Sequence, residues 1–417
     1  MKNTETDLAL ATARAQVRAV FDAGVSRVKG FNAVVDYLQQ HTLSGDYYLL
    51  SVGKAGSSMA LGALSVLGEQ IKTGLVVTKH HHAEADLLAC ERMQVIESDH
   101  PVPGDASIKA GQAVIDFVKQ APADARFLVL FSGGASSLME VLAEGMDLAK
   151  LTAMTNTLLS IGYDITQMNQ VRRAASCIKG GRLASYINGR ETLALMISDV
   201  PGDDPAVIGS GPLTPIYDNI ADVDLPEEIS SVLADVKFMP VPDSSAFTNI
   251  ESHVIATLDD AKQAAAKQAQ TLGLQVTLHE EFMEGDASAK ATEISQQMSS
   301  AATGIHIWGG ETAVTLPKNP GRGGRNQHFA LVAAKVLAGQ DDVVLLAAGT
   351  DGTDGPTEDA GGIVDGSSAA RGQQLGLDLE QYLMQADAGN CLEALGDLVT
   401  TGPTGTNVMD LVVALKR

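Results

Sequence analysis

The sequence has few aromatic residues and few basic ones. Aromatic side chains make up 4% of its 417 residues, which does not favour a sugar-binding groove built from stacked rings. Lysine and arginine number 29 against 51 acidic residues, so the formal net charge is -22. This balance argues against nucleic acid or an anionic membrane as a partner, because both would need a basic face. An anionic small molecule is still allowed, since a few local cations can set the potential of a pocket.

Cysteine and long apolar segments are also scarce. Cys90, Cys177 and Cys391 are widely spaced and form no CxxC pair, a pattern typical of reduced thiols in a cytosolic protein. The N-terminal residues contain no extended apolar region of the kind found in signal peptides. No apolar run reaches the roughly 18 to 20 residues needed to cross a bilayer. We therefore expect a cytoplasmic protein that does not enter membranes.

Glycine is abundant, with 41 residues, and 45% of the chain is hydrophobic. Apolar runs repeatedly end in glycine turns and are followed by helical periodicity, which predicts an α/β fold. The chain is longer than one core usually serves, so we expect two domains. We assign residues 1–240 to an N-terminal, Rossmann-like α/β domain with a parallel sheet and 241–417 to a smaller C-terminal α/β domain, because a proline-bearing acidic segment at 216–250 interrupts the pattern.

The central stretch is Phe127–Met139, in which an apolar run ends in Ser132-Gly133-Gly134 and restarts at Ala135. It predicts a buried strand, a tight turn and a helix whose first turn carries Ser136 and Ser137. Unpaired N–H groups at that helix start would suit an anion. Glycine serving only the geometry of the turn is the alternative.

A second turn of this kind places Lys54 between Gly53 and Gly56, directly after a predicted strand at 47–52. The segment does not match the phosphate-binding loop GxxxxGK[ST], and the chain has no GxGxxG after a strand. Lys54 is therefore either a surface residue or, as we favour, a contact for phosphate or carboxylate at the carboxyl end of the strand.

Residues 168–183 are rich in cations for so acidic a protein. If this segment is a helix, Arg172, Ser176 and Lys179 share one face. The face is either solvated or part of an anion site.

Two carboxylates, like Lys54, come directly after predicted strands. Asp199 comes just after a strand at 192–197, and Glu311 lies in a glycine turn after a strand at 304–308. A carboxylate at such a position can reach Mg²⁺, although Asp199 can equally be a turn former.

The C-terminal half has two further motifs. Arg325 stands between paired glycines and a helix start, where its planar fork could meet phosphate or carboxylate. The loop 349–359 holds four acids, including Asp351 and Asp354, and three glycines. Its spacing is not that of an EF-hand, and a Mg²⁺ or general-base loop fits better.

The histidines predict a functional site less clearly than these motifs do. His80, His81 and His82 are consecutive, and neighbours on a strand or loop cannot all converge on one ion, so we do not expect zinc. His100, in a proline-stiffened loop, either lies at the edge of a cleft or caps a turn.

Taken together, these motifs make the whole chain resemble the class II glycerate 2-kinases, which join an N-terminal glycerate-kinase domain to a C-terminal MOFRL domain. The motifs that carry the resemblance are VGKAG (52–56), HPVP (100–103), FSGGASSLM (131–139), NQVRRAASCIKGGRLA (169–184), ISDVPGDDPAVIGSGP (197–212), GGET (309–312), GRGGRNQ (321–327), AAGTDGTDGPTEDAGG (347–362) and TGPTGTNVMDL (401–411).

The resemblance implies ATP-dependent, Mg²⁺-assisted phosphorylation of D-glycerate at its 2-hydroxyl. Because the cationic and acidic motifs come from both halves of the chain, we expect the active site in a cleft between the domains. Phosphoryl transfer depends mainly on positioning and charge neutralisation, and we assign Lys54, Arg325 and Asp351 as the catalytic residues. Phosphate and substrate binding is assigned to Ser132, Gly133, Gly134, Ser136, Ser137, Asn169, Arg172, Lys179 and Asn326. Mg²⁺ binding is assigned to Asp199, Glu311 and Asp354.

Two other functions remain open at this point. A hydroxypyruvate reductase would need a nicotinamide site, and the missing GxGxxG counts against it. A metabolite sensor without catalysis would leave the lysine, arginine and acidic loop without a common purpose. The sequence leaves homo-oligomerisation open.

Overall fold

The computed structural model describes residues 2–163, 165–217, 220 and 223–417. The chain folds into two compact units. One is Gly30–Ile255, and the other combines the residues up to Lys29, including helix α1 (Lys2–Arg27), with Ala256–Arg417. This division differs from the expected boundary at about 240 in two ways: the N-terminal helix belongs to the second unit, and the strand near residue 253 belongs mostly to the first.

The first unit is built on a six-stranded sheet in the order β3-β2-β1-β4-β5-β6. Its strands are β1 (Tyr47–Val52), β2 (Ile71–Lys79), β3 (Met93–Ser98), β4 (Arg126–Phe131), β5 (Thr192–Ile197) and β6 (Ile250–Ala256). Its helices are α2 (Gly30–Gln40), α3 (Gly56–Leu67), α4 (Ala85–Leu88), α5 (Asp105–Gln120), α6 (Ala135–Leu138), α7 (Leu148–Ser160), α8 (Ile165–Ala174), α9 (Leu183–Ile187) and α10 (Glu227–Ala234).

Strands β1 to β5 pair in parallel, as the near-continuous apolar runs predict. β4 is buried from Phe127 to Phe131. The strand order is that of doubly wound α/β folds and reverses between β1 and β4, the point at which such sheets bind ligands at their carboxyl ends. The two glycine turns singled out in the sequence follow these two strands.

The second unit is built on a mixed six-stranded sheet in the order β11-β10-β9-β12-β8-β7. Its strands are β7 (Val276–Asp286), β8 (Gly304–Ala313), β9 (Val343–Gly349), β10 (Gly361–Asp365), β11 (Leu398–Val399) and β12 (Asp410–Lys416). Its further helices are α11 (Leu258–Thr271), α12 (Ala287–Ser299), α13 (Arg325–Val336), α14 (Ser368–Gln374), α15 (Leu379–Met384) and α16 (Ala388–Leu395).

The last strand of the chain, β12, lies between β8 and β9 and is antiparallel to both. Asp410, its first residue, is opposite Gly310 on β8 and Gly349 on β9. The start of β12 therefore meets the ends of β8 and β9. Residues that follow β8 and β9 and residues that begin β12 are thus brought to the same end of the strands.

Helix α1 packs against α11, β9 and β12 of the second unit. Val17, Val20 and Phe21 are fully buried. Arg14 donates from Nη2 to Asp397 Oδ1 at 2.7 Å, and that carboxylate is buried. The three- and four-residue spacing of apolar residues predicts this helix, but its packing partners lie more than 200 residues away in sequence.

Two helices are shorter than the sequence analysis predicts. The sequence after the central turn predicts a long helical stretch to about residue 160, but α6 ends at Leu138 and the next helix, α7, begins at Leu148. Between them the chain turns towards other segments: the Glu140 N–H donates to the Ser107 carbonyl at 3.0 Å. The helix expected over 168–183 ends at Ala174. In the described part of the chain, no helix is long and apolar enough to span a bilayer.

Candidate active site

Lys54 and the Gly133-Gly134 turn lie together at the switch point of the first sheet. The Lys54 N–H donates to the Gly133 carbonyl at 2.9 Å, and the Ser132 N–H donates to the Val52 carbonyl at 3.1 Å. These bonds continue the β1–β4 pairing into the turns. The base of the Lys54 side chain is thereby fixed at the carboxyl end of the sheet.

His100 joins this cluster from the loop after β3. Gly134 has φ 85°, and a Cβ atom at this position would lie 2.9 Å from Cδ2 of His100 and 3.3 Å from Cγ of Lys54. Glycine is required here for both its left-handed conformation and the space it leaves. The His100 ring therefore lies against the Gly134 turn, beside the base of the Lys54 side chain.

The three serines of the central motif have different roles. Ser132 is buried, and its Oγ accepts from the Ala55 N–H at 3.0 Å. Ser137 is also buried and donates to the Gly134 carbonyl at 3.0 Å. Ser136 is half-buried, with its hydroxyl 2.9 Å from that of Ser210. Ser132 and Ser137 therefore hold the turn, and Ser136 is the serine best placed to meet a ligand.

Two more of the sequence motifs reach the same turn. The Gly180 N–H donates to the Ser210 carbonyl at 3.0 Å, and the Gly181 N–H donates to the Gly211 carbonyl at 2.7 Å. Ser210 in turn contacts Ser136. The segments 176–181 and 208–212 are therefore packed against each other beside the central turn.

Lys179 does not share a helical face with Arg172, because α8 ends before it. Its side chain is 1% exposed and forms an ion pair with Glu140, which is also 1% exposed. Ser176 donates to the same carboxylate at 2.6 Å. Burial lowers the pKa of Lys179, and the nearby Glu140 opposes that shift. The ammonium group is already neutralised inside the protein, which suits a structural ion pair better than a phosphate contact.

Arg172 and Asn169 lie on α8, three residues apart, and both are half-buried. Burial lowers the pKa of Arg172 while Glu140 raises it, so Arg172 is close to the Glu140–Lys179 pair. Asp199 is half-buried and follows β5 by two residues, as predicted.

In the second unit, Arg325 is the first residue of α13 and contacts two carboxylates. Its Nε and Nη2 donate to Asp410 at 2.6 and 3.0 Å, and its Nη1 lies 2.7 Å from Glu311 Oε1. The Asp410 side chain is 1% exposed, that of Arg325 33% and that of Glu311 45%. Although burial alone would lower it, Asp410 and Glu311 raise the pKa of the guanidinium above its ordinary value. One edge of the Arg325 fork is thus fixed by a buried acid, and the other reaches an accessible one.

Asp354 is buried and its carboxylate caps the N-terminus of the same helix, α13. Its carboxylate accepts from the backbone N–H groups of Asn326 at 3.1 Å and Gln327 at 2.8 Å. Burial raises the pKa of Asp354 to about 7, because the desolvation and the nearby Asp410 outweigh these bonds and Arg325. Asn326 is buried, and its side chain also lies against Asp354. Both residues therefore position the helix start that carries Arg325.

Asp351 lies at the end of β9 and is 8% exposed. Its Oδ1 accepts from the backbone N–H and the hydroxyl of Thr353 at 3.0 and 3.1 Å. The Thr404 N–H donates to the Asp351 carbonyl at 3.3 Å, which ties this loop to the segment before β12.

The three carboxylates assigned to Mg²⁺ are divided between the two units. Glu311 and Asp354 lie near Arg325 in the second unit, and Asp199 belongs to the first. Among the residues whose positions are described, there is no group of three or more His, Cys, Asp or Glu side chains arranged to hold a metal.

Three residues of these clusters were not assigned a role from the sequence: His100, Glu140 and Asp410. Glu140 lies within an apolar stretch, where an acid is unusual unless it is paired. Asp410 begins the apolar run of β12, at the opposite end of a strand from Asp199, which follows β5. The partners of Glu140 and Asp410 are 39 and 85 residues away, so local sequence does not identify them.

The two clusters have complementary chemistry. The cluster in the first unit offers backbone turns, a lysine and a histidine at the carboxyl ends of the strands, a place that commonly binds anions. The second offers an arginine with preset orientation beside acidic groups. A cation held in this way can stabilise charge that develops on a transferring group without reorganising.

Comparison with known proteins identifies the family of each part of the chain. Residues 16–242 match the family described as "Domain of unknown function (DUF4147)", and residues 304–410 match the MOFRL family. The chain is 38% identical to D-glycerate 2-kinase of Thermotoga maritima over 88% of its own length and 90% of that protein. A relative from Agrobacterium vitis with a provisional hydroxypyruvate reductase name is 34% identical over 96% of this chain and 94% of its own.

A solved structure extends the similarity to three dimensions. The crystal structure of glycerate kinase (EC 2.7.1.31) from Thermotoga maritima matches with a TM-score of 0.83 and 34% identity, covering 100% of both chains. The two domain families follow each other in this chain in the order that the sequence motifs predict. The chain therefore belongs to the glycerate 2-kinase family that joins a DUF4147 domain to a MOFRL domain.

Proposed function

We propose that this protein transfers the γ-phosphoryl group of ATP to the 2-hydroxyl of D-glycerate, giving 2-phosphoglycerate and ADP. The observation that carries most weight is the 38% identity to D-glycerate 2-kinase over 88% of the chain, which spans both domains. The side-chain chemistry of both clusters suits phosphoryl transfer, which requires positioning and charge neutralisation.

In this reaction the 2-hydroxyl oxygen forms a bond to the γ-phosphorus while the bond from that phosphorus to the β,γ-bridging oxygen breaks. The hydroxyl proton passes to a base, and ADP leaves with the bridging oxygen. We assign the base role to Asp351, whose carboxylate is oriented by Thr353.

Lys54 and Arg325 have the charge that this reaction needs. We assign them to the transferred phosphoryl group or the glycerate carboxylate. Lys54 is fixed at the carboxyl end of β1, and Arg325 is oriented by Asp410. We assign phosphate contacts to the Gly133-Gly134 turn and Ser136. Ser132, Ser137 and Asn326 would position the site through their hydrogen-bonded neighbours, and Lys179 would have a structural role through its ion pair with Glu140.

Mg²⁺ would accompany ATP and neutralise part of its phosphate charge. We propose that the ion arrives with the nucleotide, because Mg²⁺ is usually held by one or two carboxylates together with the phosphates of the substrate. Asp199 is then the carboxylate that we would test first for a contact to it, since it follows a strand at the carboxyl edge of the first sheet.

The test is to incubate the purified protein with ATP, Mg²⁺ and D-glycerate and to couple the product directly to enolase without a mutase. Only the 2-phosphate is a substrate in that assay, so signal is expected at once. A product detected only after a mutase is added would overturn the 2-hydroxyl assignment. Consumption of NADH with hydroxypyruvate, with ATP inert, would instead establish the reductase activity suggested by the Agrobacterium vitis name.

A further inference from the structure

The second unit contains a cavity of about 690 Å³ between α12 and the edge strand β7. It opens where β7 leaves its regular pairing with β8: Leu278 is opposite Ile307, but the next pair is Phe282 with Gly309. Residues 279–281 therefore bulge out of the ladder. Such interruptions re-aim side chains and are frequent beside functional sites, and the volume lies in the range of small-molecule pockets.

Three nearly parallel rings line one wall of this cavity. His279 stacks on Trp308 with a centroid separation of 4.0 Å and an interplanar angle of 9°. His306 lies 5.5 Å from His279 and 5.9 Å from Trp308, at angles of 30° and 22°. Trp308 is the one tryptophan of the chain and is 5% exposed, so the apolar core holds it in place. His279, the outer ring, is therefore stacked on the buried and immobile Trp308.

Hydrogen bonding determines what this wall offers to a ligand. Nε2 of His306 lies 2.9 Å from the Ala302 carbonyl and must donate to it, so Nδ1 of His306 accepts from Nε2 of His279 at 3.2 Å. Nδ1 of a neutral His279 is then an acceptor. Burial lowers the pKa of His279, with His306 and Lys262 acting in the same direction and Glu281 opposing them, so the surroundings favour the neutral ring. The wall therefore offers a π face and an acceptor for an N–H group.

The rim of the cavity is acidic. Glu280, Glu281 and Glu293 line it together with Lys290, which already forms an ion pair with Glu293 at 2.6 Å. The remaining carboxylates would repel a phosphate group.

We propose that this cavity binds a planar heteroaromatic base that carries N–H donors and no phosphate, such as an aminopurine or its nucleoside, stacked on His279. None of the residues that line the cavity belongs to the Arg325 cluster. The proposal therefore does not depend on the phosphoryl-transfer reaction.

Trp308 provides a direct readout, because all tryptophan fluorescence of the chain comes from this wall. Adenosine is the probe, added to the full-length protein in the presence of excess ATP so that any ATP site is occupied, with excitation where neither compound absorbs. Saturable change in the Trp308 emission and an adenosine-dependent rise in Tm are expected. No change in either signal up to millimolar adenosine would overturn the proposal.

A matched pair of variants locates the binding. His279→Ala removes the outer ring and should weaken adenosine binding, measured by calorimetry, about tenfold or more. His41→Ala is the control, since His41 also stacks on an aromatic ring, Tyr37, at 4.2 Å and 16° in the other unit. Equal affinity in wild type and a folded His279→Ala variant would place adenosine elsewhere and refute the proposal.

Adenosine 5′-monophosphate tests the acidic rim. It should bind at least about tenfold more weakly than adenosine, and the double variant Glu280→Gln/Glu281→Gln should reduce that difference. If the monophosphate binds as tightly as adenosine in the wild type, the selection against phosphate is wrong. Kinase activity is assayed separately on the same preparations, so failure of this proposal and failure of the proposed function give different results.

Discussion

Two cations that the sequence assigns to anion binding have very different surroundings. Lys179 is 1% exposed and paired with a single acid, Glu140, that is just as buried. Arg325 is 33% exposed and divides its fork between the buried Asp410 and the 45% exposed Glu311. Both lie in glycine-rich motifs, and the sequence alone does not distinguish them.

We propose that the number and burial of a cation's partners separate a structural cation from one that binds a ligand. A lysine whose only carboxylate is buried cannot leave it without exposing an unpaired charge to the interior. An arginine fixed on one side by a buried acid has one edge oriented and the other near solvent. We propose that the first arrangement is structural and that the second orients a charged group towards a ligand.

The largest expected effect is on stability and follows Lys179→Met. This variant leaves Glu140 buried without its partner and should lower the free energy of unfolding by about 3–5 kcal/mol. Urea denaturation of the variant and the wild type measures it. The double variant Lys179→Met/Glu140→Leu should recover most of the loss, because replacing both charges removes the unpaired one. A stable but inactive single variant would show that Lys179 binds a ligand instead.

The next effect is catalytic and follows Arg325→Lys, which keeps the charge but loses the two-pronged geometry. If Arg325 contacts the transferring phosphoryl group, kcat should fall by roughly 30- to 1,000-fold, or about 2–4 kcal/mol. A rise in KM for glycerate with little change in kcat would assign Arg325 to the substrate carboxylate. Wild-type kinetics would remove it from the site.

A third effect concerns the pH dependence of stability. The pKa of Asp354 is about 7 in the folded protein, above the value of about 3.9 expected in the unfolded chain. The folded state therefore keeps a proton that the unfolded state releases, and stability should fall as pH rises from about 4 to about 7, by up to about 1.4 kcal/mol per pH unit. Asp354→Asn should lack this part of the slope. Identical slopes in denaturation series at pH 5, 6 and 7 would contradict the assignment.

The smallest effect is expected for Glu311→Gln. Glu311 is accessible and its ion pair with Arg325 should contribute only about 0.2–1 kcal/mol to stability. The variant frees one edge of Arg325, so KM for the anion that Arg325 binds should fall by about 1.4- to 5-fold. A loss of stability above about 2 kcal/mol would mean that Glu311 is as important to the fold as Asp410.

Much of the fold follows from local patterns. β1 and β5 have the predicted limits, because each is an apolar run bounded by turn residues. β10, β11 and β12 are not predicted, since they pair antiparallel with partners brought together by the rest of the sheet. The placement of α1 on the C-terminal sheet is likewise a long-range contact that helical periodicity does not indicate.

The candidate site also depends on long-range contacts that local sequence patterns do not indicate. The glycine turns and Lys54 lie where strand–turn–helix patterns predict, because the strand order brings β1 and β4 together. The partner of each cation is not predictable from spacing: Glu140 reaches Lys179 across an irregular segment, and Asp410 reaches Arg325 from the final strand. Sequence therefore identifies the charged residues, and packing decides which of them a ligand can reach.

The most direct test of this account is kcat for D-glycerate phosphorylation, measured side by side in Arg325→Lys and in Lys179→Met/Glu140→Leu. The account predicts a loss of roughly 30- to 1,000-fold in the first and activity within about threefold of wild type in the second, whose buried charges are replaced together. The reverse outcome, an active Arg325→Lys and an inactive but stably folded double variant, would contradict it.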